Sequence, residues 1–271
     1  MASSTLYPPL SIEGWTVLIT GASAGIGLAA ARRFAEAGSR LVLVARRAER
    51  LEQLKEELQA QYKVDVHNVV ADLSVASQVE RLAAELPPAF QEVDILLNNA
   101  GLALGTAPVQ AMASSDAVGM ISTNVTAVVI LTRELSKGMV ERNRGHIINV
   151  SSIAGHTAYP GGSVYCGTKH FVNGFTDCAR HDLVGTAVRV SAISPGAVNT
   201  EFSTVRYKGD KSKADAVYAG IVPLNADDIA DNILYAATRP LHVQVGDIVV
   251  FATNQSGPQS IARILLEKSK E

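Results

Sequence analysis

The chain has 271 residues, of which 47% are apolar and 18% charged; this fits one large folded domain and excludes a disordered chain. Its net charge of -2 gives no basic footprint for a nucleic acid. The opening MASSTLYPPLSIEG lacks a basic and an apolar region, and no apolar run reaches about 18 residues, so neither a signal peptide nor a membrane span is expected.

After a short extension (1–14), short apolar runs alternate with amphipathic stretches. Strands are predicted at 15–20, 40–45, 65–70, 93–97, 146–150, 188–193 and 246–251. Such continuous apolar runs suit parallel strands buried on both faces. Helices are predicted at 25–37, 47–61, 75–86, 113–137, 163–184 and 226–237. This alternation implies a single-domain, Rossmann-like, doubly wound α/β sheet over 15–256. The least regular part, about 199–225, is a candidate lid, and 257–271 a C-terminal tail. Cys166 and Cys178 fall on one predicted helix, about 18 Å apart, too far for a disulfide. Few cysteines suit a reducing, cytoplasmic compartment.

The turn Thr20-Gly21-Ala22-Ser23-Ala24-Gly25-Ile26-Gly27 joins the first strand to an alanine-rich helix. Small residues there let backbone approach a pyrophosphate, and the helix N-terminus adds N–H groups and positive potential. Gly21, Ser23, Gly25, Ile26 and Gly27 are therefore candidate dinucleotide contacts. An acid after the second strand would favour NAD; here Ala45 is followed by Arg46 and Arg47, which suit the 2′-phosphate of NADP(H). Asp72, after the third strand, suits either an adenine acceptor or a helix cap. Asn99, in Asn98-Asn99-Ala100-Gly101 after the fourth strand, suits a turn facing the cofactor or a purely structural one.

Tyr165 and Lys169 are four apart on a predicted helix and so share a face, with Ser152 thirteen residues earlier after a strand. A phenol near pKa 10 is a weak base at neutral pH; Lys169 is expected to favour its phenolate, and Ser152 to hydrogen-bond the reacting oxygen. The chain holds a second copy of the spacing: Ser194, Tyr207 and Lys211. That copy crosses Gly209-Asp210, a turn signal, and its serine precedes Pro195, so it is read as a decoy in the lid with its serine in a turn.

Taken together, the glycine turn, Asn98 to Gly101, Asn124, Ser152, Tyr165, Lys169 and Pro195-Gly196 resemble the short-chain dehydrogenase/reductase family from about Trp15 to Thr253. The resemblance implies hydride transfer at nicotinamide, with Asn124 holding a water beside the lysine. It also places Pro195, Val198 and Thr200 at the nicotinamide and implies a homotetramer.

Glu201 to Asp210, Ala158 to Ser163 and Thr253 to Gln255 are similar to the NADP-dependent 3-hydroxy acid dehydrogenases. That subgroup acts on serine, allo-threonine and related short acids. A broad reductase of ketones or aldehydes is the alternative substrate reading, and a non-catalytic NADP(H) sensor the alternative class. Arg206, in the lid, is a candidate for the substrate carboxylate, or else for a lid-to-body salt bridge. His156 is a surface or pocket histidine. The six histidines show no metal-ligand spacing, so no metal is expected.

Overall fold

The computed structural model describes residues 9–263, so parts of the expected N-terminal extension and C-terminal tail lie outside the described residues. Seven parallel strands form one sheet in the order β3-β2-β1-β4-β5-β6-β7. They are β1 (Thr16–Thr20), β2 (Arg40–Ala45), β3 (Val66–Val70), β4 (Val93–Asn98), β5 (Gly145–Val150), β6 (Val188–Pro195) and β7 (Asp247–Val250). The helices are α1 (Gly25–Glu36), α2 (Ala48–Tyr62), α3 (Ala76–Ala84), α4 (Ser114–Ile121), α5 (Ala127–Glu141), α6 (Ser163–Asp182), α7 (Glu201–Arg206), α8 (Lys211–Ala216) and α9 (Ala226–Ala237).

Alternation along the central strands feeds two cores. Leu41 and Leu43 of β2 pack with Phe34 of α1, Leu51 and Leu58 of α2 and Ile233 of α9. The intervening Val42 and Val44 pack on the other side with Val79 of α3 and Leu131 and Met139 of α5. Covering both faces is what lets an all-parallel sheet be apolar throughout. Buried Arg189 of β6 donates to the Ala237 carbonyl (2.8 Å) and the Arg239 carbonyl (3.1 Å), fastening the end of α9 to the sheet.

Three local expectations are corrected. The helix expected at 113–137 is interrupted by a π-helical turn at Ser122–Thr126, between α4 and α5. The reason lies in Asn124, whose buried amide bonds the Leu102 backbone twice, at 2.9 and 2.8 Å, and Thr168 Oγ1 at 3.1 Å. Counted together, Ser114–Glu141 is long and apolar enough on average to cross a membrane, although it holds no continuous apolar run of 18 residues. Its Met120, Leu131, Leu135 and Met139 are instead buried in the fold.

The lid region is more regular than its composition suggests. Thr200 caps α7 by accepting from Phe202 N–H (3.3 Å), and Asp210 caps α8 by accepting from Lys213 N–H (3.2 Å). Finally, β6 runs through Ser194 to Pro195, so Ser194 is a buried strand residue and not part of a turn. Both cysteines lie on α6 and are free, Cys166 buried and Cys178 exposed.

Candidate active site

The strand order reverses at β1, where β2 leaves on one side and β4 on the other. A crevice must open beyond the strand ends at such a point. Thr20 holds its floor: its hydroxyl donates to the Leu97 carbonyl (3.2 Å) and accepts from the N–H groups of Asn99 and Ala100, both at 2.9 Å. Asn99 donates its side-chain amide N–H to the Thr20 carbonyl at 2.8 Å and so fixes the glycine turn, while the residue lines the cleft. Gly21 has φ +67°, and a Cβ on it would lie 2.9 Å from the Asn99 amide. A Cβ on Gly27 would lie 2.4 Å from the Gly21 carbonyl, so neither position accepts a side chain.

Behind the turn, α1 begins at Ala24 with no side-chain cap and no acid in its first turn. Its first N–H groups are therefore available to an anion. The resulting cleft, about 920 Å³, is lined by Gly21, Ser23 to Ile26, Arg46, Arg47, Asp72, Asn99 to Leu102, Ser152, Tyr165, Lys169 and Pro195 to Val198. These residues fit a dinucleotide: a side-chain-free cradle, an uncapped helix start and a cationic end.

That cationic end is built from α2 and the turn. Arg47 donates to Ser23 Oγ through Nε (3.1 Å) and Nη2 (3.0 Å). Arg46 is exposed and lines the cleft beside it. Asp72 is engaged locally: its carboxylate accepts from the Ser74 N–H (2.9 Å) and hydroxyl (2.8 Å), which lowers its pKa. Val75, not Asp72, is the cap of α3, so the helix-cap reading is not met.

At the other end, α6 places Tyr165 and Lys169 on its buried face. Ser152 follows β5 and caps the short turn Ile153–Gly155, accepting from Ala154 N–H at 3.1 Å. Its hydroxyl donates to the Pro195 carbonyl at 3.4 Å and lies near enough to Tyr165 to lower its pKa. Lys169 Nζ donates to the Val150 carbonyl at 2.8 Å. A Cβ on Gly101 would meet Asn124 Oδ1 at 3.4 Å and Lys169 Nζ at 3.5 Å, so these groups converge there.

Burial raises the Tyr165 pKa above its ordinary value of 10, against the Ser152 hydroxyl and the Arg206 charge, which both lower it. Burial also lowers the Lys169 ammonium from 10.5 to about 8. The expected pull of Lys169 on the phenol is not what sets its direction here: the same dry pocket disfavours both charges. Tyr165 stands as a neutral phenol at neutral pH.

The lid spans the mouth. Arg206, at the end of α7, donates to Tyr159 Oη (2.5 Å) and lies 5.4 Å from the centroids of both Tyr159 and Tyr165. Its Nε is buried without a hydrogen-bond partner. Among the described residues no carboxylate pairs with it, in contrast to Lys208, which bridges to Asp116 at 2.7 Å. The lid-to-body salt bridge considered for Arg206 is absent among those residues. The decoy pair is split: Tyr207 caps the end of α7 and Lys211 opens α8, so they share no helical face.

Val198 accepts from the Tyr218 hydroxyl (2.8 Å), and Thr200 stands 3.3 Å from where a Gly25 Cβ would be. His156 lies at the edge of the sheet, 3.0 Å from Asp247 Oδ2, and does not line the cleft. Sequence reading missed Tyr159, Glu201 and Gln255 as site residues. Gln255 Oε1 accepts from Ala197 N–H at 2.8 Å and so fixes the Pro195-Gly196 turn, while Pro258, Gln259, Ile261 and Arg263 of the tail also line the cleft. Only the packed fold brings these segments to the site.

A dinucleotide cradle at the sheet's switch point, facing a buried tyrosine, lysine and serine, defines a nicotinamide-dependent oxidoreductase. The short chain dehydrogenase family profile matches residues 15–211, and the chain belongs to that family. It is 43% identical over 253 residues to the NADP-dependent 3-hydroxy acid dehydrogenase of Schizosaccharomyces pombe, covering 93% of this chain and 98% of that one. It is 47% identical over 241 residues to the sulfoacetaldehyde reductase of Chromohalobacter salexigens, covering 89% and 94%. Among solved structures, the closed form of a serine dehydrogenase complexed with NADP+ superposes with a TM-score of 0.85 at 43% identity, covering 89% of this chain and 96% of that one.

Proposed function

We propose that this enzyme transfers a hydride between NADP(H) and the hydroxyl or carbonyl carbon of short 3-hydroxy acids such as serine and allo-threonine. One observation carries the substrate class: Arg206 presents a guanidinium without a carboxylate partner among the described residues, 5.4 Å from the Tyr165 ring. A planar, bidentate cation at that distance suits a carboxylate on a substrate whose hydroxyl reaches Tyr165. The relatives support this reading, since by their names their substrates are a 3-hydroxy acid, serine and a sulfonate-bearing aldehyde, each of which carries an ionised acid group.

When bound, the nicotinamide supplies or takes up the hydride. The chain's own residues handle the proton. In reduction, neutral Tyr165 donates its hydroxyl proton to the carbonyl oxygen while Ser152 hydrogen-bonds that same oxygen. In oxidation, Tyr165 must first lose its proton, so activity in that direction rises with pH. Lys169 and, as the family resemblance implies, a water held at Asn124 resupply the proton. The proposal extends, on the same resemblance, to a homotetramer and, on the low cysteine count, to a cytoplasmic location. Phe171, exposed on α6 and stacked on Phe175 at 5.8 Å, suits a face covered by a second copy.

Replacing Arg206 with alanine is expected to cost at least about 2 kcal/mol, roughly 30-fold, in kcat/KM for serine, with little change for a neutral ketone. Unchanged serine activity would overturn the carboxylate role and favour the broad carbonyl reductase. Cofactor preference is tested separately. Arg47→Ala, and to a lesser degree Arg46→Ala, is expected to lower the ratio of kcat/KM for NADP+ over NAD+ by about 10- to 100-fold. Equal efficiency of the parent with both cofactors would sink the arginine clamp.

A further inference from the structure

The arginine clamp already holds an anion of the protein's own. Glu201, the first residue of α7, accepts from Arg47 Nη1 at 2.7 Å through one carboxylate oxygen and from Arg50 Nη1 at 2.6 Å through the other. Arg47 thus spends Nη1 on Glu201 and its remaining nitrogens on Ser23. A 2′-phosphate arriving between Ser23 and Arg47 competes with these two acceptors for the guanidinium, and of the two only Glu201 brings a negative charge.

Resting on the NADP(H) reading above, we propose that Glu201 is a specificity-setting competitor. Its carboxylate occupies the guanidinium that a 2′-phosphate needs, so a phosphorylated nucleotide takes Arg47 from the lid and an unphosphorylated one does not. Glu201 keeps Arg50. The same six-residue helix carries Glu201 at its first position and Arg206 at its last. Release of Arg47 therefore loosens the end of α7 opposite the substrate arginine, and the lid registers which cofactor is bound. The ion pairs are half-exposed, so their grip on Arg47 is modest and sensitive to salt.

The test is isothermal titration of 2′,5′-ADP and of 5′-AMP into the parent and Glu201→Gln at low ionic strength. The expected result is a two- to fivefold tighter Kd for 2′,5′-ADP in the variant, an unchanged Kd for 5′-AMP, and loss of the gain at high salt. Amide hydrogen exchange over 201–206 supplies a second readout. In the parent it should rise with 2′,5′-ADP but not with 5′-AMP, and in the variant it should be raised from the start. If 2′,5′-ADP binds the variant equally or more weakly, Glu201 only orients Arg47 and the competitor role is wrong. A parent that fails to prefer 2′,5′-ADP over 5′-AMP would bring down the NADP(H) reading itself.

Discussion

Tyr165→Phe should lower turnover by about 10²- to 10⁴-fold in both directions while leaving cofactor affinity within about twofold. The substitution removes one hydroxyl and keeps the ring. That ring packs against Phe202, with centroids 5.6 Å apart, and against the Arg206 guanidinium. Ser152 keeps its bond from Ala154 N–H, so the turn it caps should persist. What disappears is the proton donor.

The pH dependence gives a sharper signature than the loss of rate. Burial holds the phenol above its ordinary pKa, so the acid form dominates across the neutral range. Reduction, which needs that acid, should be nearly flat with pH there. Oxidation needs the phenolate, and its kcat/KM should climb by up to about tenfold per pH unit until the tyrosine ionises. In Tyr165→Phe the residual oxidation should lose this slope. Full activity in the variant, or the same slope, would move the proton transfer to another group. A parent with no turnover on any substrate would favour the NADP(H) sensor.

Much of this was legible in the sequence, for physical reasons that differ from element to element. The central strands were readable because they are buried on both faces, which leaves an uninterrupted apolar run such as Leu41 to Val44, whereas the edge strands β3 and β7 are partly exposed. The glycine turn was readable because Gly21 and Gly27 stand where any Cβ would collide with the protein's own backbone or with Asn99. Spacing alone did not separate Tyr165-Lys169 from Tyr207-Lys211; the helical stretch under the first pair and the Gly-Asp break in the second did.

What stayed hidden depends on long-range packing. The π-helical turn at Asn124 is paid for by bonds to Leu102 and Thr168, which are 22 and 44 residues away. Glu201 meets Arg47 across 154 residues, and no local pattern announces such a pair. Asn99 lines the crevice and also ties the glycine turn to β4 through its Thr20 bond, a contact across 79 residues.

Lys169→Met should cost at least about 100-fold in kcat and yet make the protein no less stable at neutral pH. The two effects have one origin. Lys169 is only 5% exposed, and burial lowers its ammonium from 10.5 to about 8. A shift of that size corresponds to about 3 kcal/mol of disfavoured charge. Methionine fills similar volume without the charge. It leaves the Val150 carbonyl without the lysine's hydrogen bond, at about 1–3 kcal/mol, so the net gain is about 0–2 kcal/mol.

The sign with pH follows from proton counting. Below pH 8 the lysine is charged in both folded and unfolded chains, and its full cost is present. Between about 8 and 10.5 the folded parent releases a proton that the unfolded chain keeps, so the parent's stability rises with pH in that window. The methionine variant has no such rise. Denaturant unfolding at pH 6.5 and 9.5 should therefore show the parent gaining about 2 kcal/mol on the variant. Measurement must stay below pH 10, where the raised pKa of Tyr165 begins to act in the opposite sense, because unfolded tyrosine ionises before the folded one. Parallel pH profiles for parent and variant would mean that Lys169 carries an ordinary ammonium. The cost of burying its charge would then not be what the site spends to keep a cation beside Tyr165.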